Sequence, residues 1–116
     1  MYHERERWRR EEAYIRRTRI VFSGHFRERM RTRGITLQEI ARVIETGEII
    51  QGHAPWTYGN NPNPVRVVMG HGEGDRVLHV VVALRKDAVV LVTVYEPDPE
   101  IWEDDLKTLK LRGKKE

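Results

Sequence analysis

The chain has 116 residues, enough for one domain with one hydrophobic core; 39% are hydrophobic, which excludes a wholly disordered chain. Charged residues make up 34%, above the usual quarter, so much of the surface is solvated or engaged with a charged partner. There is no cysteine, which excludes disulfides, thiolate nucleophiles and Cys-based zinc sites and suits a cytoplasmic location.

No apolar run approaches the roughly 20 residues of a membrane span, and Met1 to Arg19 is charged throughout, without the apolar centre of a secretory signal. No membrane partner is expected. The net charge of +3 is unevenly spread: residues 1–33 carry 11 Arg against 5 Glu, residues 34–75 carry 2 Arg against 5 acids, and the rest balances at 8 against 8. A basic end on a near-neutral body is either a nucleic-acid footprint or a solvated Arg-rich surface laced with Glu–Arg pairs.

In chain order, Tyr2 to Arg17 reads as a polar helix with Trp8 and Ile15 on one face. It is a basic arm, residues 1–17, ahead of a single domain over 18–111, with a frayed tail at 112–116. Arg19 to Phe22 is a short strand. Ser23 is placed to cap a helix from Gly24 to Arg33, in which Phe26 and Met30 form the apolar stripe and Gly34 ends the run in a left-handed conformation. Thr36 and Glu39 form a capping box, with Ile35 and Ile40 as its hydrophobic staple. Ile40, Val43 and Ile44 continue at helical spacing until Gly47.

Glu48 to Gln51 is a strand, and the Asn/Pro-rich stretch from His53 to Pro64 is a long loop. Val65–Met69, Val77–Arg85 and Val89–Tyr95 are strands joined by short turns, hence antiparallel hairpins. The apolar runs in the last two mark strands covered on both faces. Asp98 and Pro99 are placed to start a last helix whose apolar face is Trp102, Leu106 and Leu109. The expected class is α+β: an antiparallel sheet of about four strands with two or three helices packed on it.

His25, Arg29 and Arg33 recur every four residues, a stripe about 12 Å long on one helix face. Arg offers a planar fork for phosphate oxygens, and His exchanges protons near neutral pH; alternatively the stripe is an ordinary solvated face. His79 lies in an otherwise apolar strand, where it is either a hydrogen-bonded core residue or a catalytic group on the cleft face. Thr93 and Tyr95 share a face near the end of the last strand. Trp56 and Tyr58 either plug the loop onto the core or stack on bases. The five histidines (His3, His25, His53, His71 and His79) include no close ligand pair, so no metal site or cofactor is expected.

The segment His25-Phe26-Arg27-Glu28-Arg29-Met30-Arg31-Thr32-Arg33-Gly34-Ile35-Thr36 resembles the opening signature of the family labelled domain of unknown function 4258. Gly47-Glu48-Ile49-Ile50, Leu78-His79-Val80-Val81 and Thr93-Val94-Tyr95-Glu96-Pro97-Asp98 followed by Trp102 match it further. Phe26 departs from the family's usual Ala. That family is similar to the RelE and MqsR group of bacterial toxins. The resemblance implies a RelE-like fold, an RNA substrate and a zinc-finger antitoxin of the MqsA type as partner, and it points to His25, Arg29, Arg33, His79, Thr93 and Tyr95 as motif positions.

The expected activity is metal-independent ribonuclease chemistry, with His25, His79 and Tyr95 catalytic and Arg29, Arg33 and Thr93 holding substrate. A non-catalytic nucleic-acid-binding module and a protein-interaction module are the alternatives.

Overall fold

The computed structural model describes residues 2–111, with side chains from residue 4 onward; the expected tail at 112–116 lies outside them. The elements in order are α1 (Tyr2–Arg17), β1 (Ile20–Phe22), α2 (Phe26–Arg33), α3 (Leu37–Thr46), β2 (Glu48–His53), β3 (Val65–His71), β4 (Val77–Leu84) and β5 (Val89–Tyr95), with a short 3₁₀ turn at Glu73–Asp75. The class is α+β. The sheet has five strands in the order β1-β5-β4-β3-β2.

It is a mixed sheet, which corrects the antiparallel expectation. β2, β3, β4 and β5 form an antiparallel meander, but β1 runs parallel to β5, with Ile20 opposite Val89 and Phe22 opposite Leu91. The reason is connectivity: β1 reaches β5 only after the whole intervening domain, so no hairpin constrains its direction.

Alternation sorts the side chains. Leu78, Val80 and Val82 of β4, with Val89, Leu91 and Val94 of β5, face the helices and meet Ile15, Phe26, Met30, Ile40, Val43 and Ile44. The second face carries Val65, Val67, Val81 and Ala83, with Tyr58 and Tyr95 against them. Full burial of the central strands follows from cover on both sides.

α3 forms as its sequence dictates. Thr36 accepts from the backbone of Glu39, and Glu39 accepts from the backbone of Thr36. The Glu39 carboxylate also receives the backbone N–H of Glu73 at 2.7 Å and the guanidinium of Arg76. It is 1% exposed. These donors hold its pKa down at about 2, Arg76 contributing most, against the opposing effect of burial.

α1 docks on the sheet through Ile15, and Glu11 pairs with the guanidinium of Arg66 at 2.6 Å beneath it. The Tyr14 hydroxyl donates to the carbonyl of Arg85, and Arg16 donates to Gly47.

Two further expectations are corrected. Ser23 does not cap α2; its hydroxyl donates to the Val92 carbonyl, and the helix starts after His25 without a side-chain cap. The last helix does not form. Asp98 closes one turn with the N–H groups of Ile101 and Trp102, after which Trp102 pairs with Leu109 and the chain reverses between them. Burying Trp102 against the second face of the sheet competes with continuing the helix, and it wins. Among the described residues no helix is long and apolar enough to cross a membrane.

Candidate functional site

α2 lies along the outer edge of β5, beyond the point where the three-residue β1 ends. Phe26 and Met30 anchor it in the core. Gly34, at φ 65°, closes the helix, and the following Ile35 N–H returns to the Met30 carbonyl at 2.9 Å. This orientation leaves Arg27, Arg29, Arg31 and Arg33 on the exposed side. The Arg27 guanidinium sits 4.4 Å over the Phe22 ring. Arg33 reaches back to donate to the Val94 carbonyl at 2.6 Å, satisfying an acceptor on the unpaired part of the β5 edge.

Arg33, Tyr95 and Glu96 together line a depression of about 370 Å³. The Glu96 carboxylate is paired with Arg76 at 2.8 Å, and Arg76 also donates to the Gly34 carbonyl, so the floor of this corner is tied to the end of α2.

Tyr95 lies beside His79, the two being directly opposed across β4 and β5. His79 is fully buried. Its Nε2 is 2.8 Å from the Leu106 carbonyl, which can only accept, so Nε2 carries the proton. Nδ1 is then the acceptor for the Tyr95 hydroxyl at 3.4 Å, a long bond. Trp102 closes the remaining side, edge-on with its ring centre 4.6 Å away. Burial pushes the imidazole's pKa down, opposed by the bond to Leu106. Burial pushes Tyr95 up to about 12, helped by Tyr58. At neutral pH the pair is an uncharged phenol donating to an uncharged imidazole.

Of the six residues expected to form the site, Arg33, His79 and Tyr95 come together, and Thr93 shares the second face of β5 with Tyr95. His25 stands apart. It is exposed immediately before α2, eight residues or about 12 Å of helix from Arg33. Arg29 lies one turn back from Arg33, exposed. His79 has no exposed surface and lies behind Tyr95, bonded to its hydroxyl. His25 and His79, expected with Tyr95 as the catalytic set, do not share one pocket.

Glu96 and Arg76 were not singled out from sequence. Glu96 lies in the family-matching segment after Tyr95, but nothing in its neighbours marks it as part of a pocket with Arg33. In the long loop, Tyr58 packs on the second face with its ring 5.1 Å from His53, whereas Trp56 is 66% exposed. Among the described residues no cluster of three or more His, Asp or Glu is placed to hold a metal ion.

Residues 22–96 match a family model described as Domain of unknown function (DUF4258). No curated protein and no solved structure matches the chain.

Proposed function

We propose that this chain, which belongs to the DUF4258 family, is a ribonuclease that binds RNA along the exposed face of α2 and cuts it at the corner where α2 meets the end of β5. The observation that carries the reading is that Arg33, Tyr95 and Glu96 line one depression, with Arg29 one helical turn away. These groups supply a phosphate clamp, a neutral hydroxyl donor and a carboxylate, which suffice for transesterification without a metal.

In this scheme the RNA 2′-hydroxyl attacks the adjacent phosphorus and gives its proton to Glu96. The phosphorus–5′-oxygen bond breaks, and the leaving oxygen takes the proton of Tyr95 as the phenol turns off its long bond to His79; Glu96 then gives its proton to water and Tyr95 regains one from water. The products are a 2′,3′-cyclic phosphate and a 5′-hydroxyl. Arg29 and Arg33 hold the negative charge that develops on the phosphate. His79 fixes the Tyr95 hydroxyl from behind and touches no substrate. Thr93 lines the approach to Tyr95, and His25 meets RNA one helix length away from the scissile bond.

The test is incubation of purified protein with end-labelled RNA, with and without EDTA. The expected result is cleavage that leaves cyclic-phosphate ends, persists in EDTA and falls strongly in Arg33→Gln. RNA left intact after long incubation refutes it. The enclosure of His79 favours a second reading, a module that binds RNA through α2 without cutting it. Intact RNA together with salt-sensitive binding is its signature.

The wider reading, a RelE-like cytoplasmic toxin neutralised by a zinc-finger antitoxin of the MqsA type, follows from the family resemblance alone. Growth arrest on expression, relieved by such a partner, is its test.

A further inference from the structure

The far edge of the sheet carries a second, separate feature. A groove of about 640 Å³ runs between α1, the edge strand β2 and the turn at residues 105–108. Arg5, Trp8, Arg9 and Glu12 line it from α1, at positions i, i+3, i+4 and i+7, one face of the helix.

The three carboxylates of the groove are already engaged. Glu12 accepts the Ile49 N–H at 2.8 Å, Glu48 pairs with Lys107 at 2.9 Å, and Asp105 accepts from the backbone of Lys107 and Thr108 and from the Thr108 hydroxyl. Arg5 and Arg9 are exposed and have no carboxylate partner among the described residues. The formal charges cancel, three cations against three carboxylates, but the donors left available are cationic.

Trp8 is half-buried between them. Its indole lies over Gly52 of β2, where a Cβ would come within 3.3 Å of the ring, so only glycine admits it without a shift. Its buried Nε1–H has no acceptor among the described residues, so packing alone holds the ring.

We propose that this groove is a nucleic-acid site distinct from the α2 corner, holding a nucleotide of a single strand with its base on the Trp8 indole and its flanking phosphates on Arg5 and Arg9. Aromatic stacking beside unpaired arginines is the chemistry that single strands require. An added peptide strand fits less well, because Glu12 already occupies the Ile49 N–H that an incoming strand would need on the β2 edge. The site does not depend on cleavage at the α2 corner.

The experiment uses the full chain and hexauridylate as the single-stranded probe. Binding is read by anisotropy and by the indole N–H resonance of Trp8, identified through its loss in Trp8→Phe. The expected result is a shift of that resonance on titration. Arg5→Gln with Arg9→Gln, both at exposed positions, should weaken binding about tenfold and flatten the salt dependence by about 1.4 log units per log unit of salt. Arg29→Gln with Arg33→Gln should leave the Trp8 shift in place, which separates this site from the corner. An unmoved Trp8 resonance overturns the proposal, as does an unchanged salt slope in the α1 double variant. So does an octaglutamate peptide that produces the same shift with equal affinity.

Discussion

His79 donates its Nε2–H to the carbonyl of Leu106 at 2.8 Å, and Leu106 presents that carbonyl from a left-handed backbone with φ of 59°. A leucine in this region costs about 1 kcal/mol, and it persists only where the surroundings impose it. Here the turn is closed by the Leu106 N–H on the Glu103 carbonyl at 2.8 Å, the Leu106 carbonyl accepts from His79, and Trp102, 6% exposed, covers another side of the imidazole. The bond from His79 ties the imidazole to the bend at Leu106. Trp102→Ala should cost about 3–5 kcal/mol in chemical denaturation. It should also raise the His79 pKa toward the ordinary imidazole range, which a ring-proton NMR titration would follow. An unchanged pKa would mean that the cover over His79 comes from elsewhere.

Stability against acid should fall in two windows. His79 has a folded pKa below its ordinary value of 6.5, so the unfolded chain binds the proton more readily. The contribution is complete above about pH 6.5 and is lost as pH falls through the lowered folded pKa. Glu39 behaves likewise lower down, its pKa falling from 4.5 to about 2 on folding. Its contribution is present above about pH 4.5 and lost toward pH 2. For this carboxylate, 1% exposed, the shift corresponds to roughly 3 kcal/mol. Glu39→Gln should cost about that much in urea denaturation at pH 7, and the gap from the native chain should close near pH 2. A gap that persists there would place the cost in the geometry of the cap and not in its charge.

The legible part of the fold is the part that near neighbours in the chain complete among themselves. The Thr36–Glu39 box, the Gly34 terminus and the hairpins joining β3, β4 and β5 each depend on residues close in the chain, and each formed. The capping box could not reveal that Glu39 would also bind Glu73 and Arg76, because those lie 34 and 37 residues away. The segment after Pro97 carried genuine helix-start signals, and Asp98 does close one turn. The helix stopped because Trp102 found His79, a contact 23 residues back that no local pattern encodes. The candidate site divided in the same way. Arg29 and Arg33 were legible as a stripe. That Arg33 would share a depression with Tyr95 and Glu96, while His25 lay beyond it, required knowing that α2 runs along β5.

Gly34 offers a clean measure of backbone cost. It holds φ 65°, and a Cβ there would meet nothing within 4 Å. Gly34→Ala therefore adds no clash and removes no contact, so its whole effect is the left-handed penalty of about 1 kcal/mol. A thermal melt should show a midpoint several degrees lower. No change would mean that the end of α2 can relax into another conformation despite the bond from Ile35 to Met30.

Tyr95→Phe separates the architectural and chemical parts of the corner. The hydroxyl's bond to His79 is long, at 3.4 Å, and losing it should cost no more than about 1 kcal/mol of stability. His79 keeps its stronger bond to Leu106, and the phenyl ring still packs against Val81 and the second face. If Tyr95 protonates the leaving oxygen, RNA cleavage should nevertheless drop about 10²–10⁴-fold, the usual range for a lost general acid. RNA affinity should barely move, because Arg29 and Arg33 remain. The informative comparison is thus between melting, binding and product formation in one variant. Full activity in Tyr95→Phe would remove the phenol from the chemistry and leave only the arginines and Glu96 at the corner. A collapse of the melting temperature would show that the neutral phenol–imidazole pair serves the fold first.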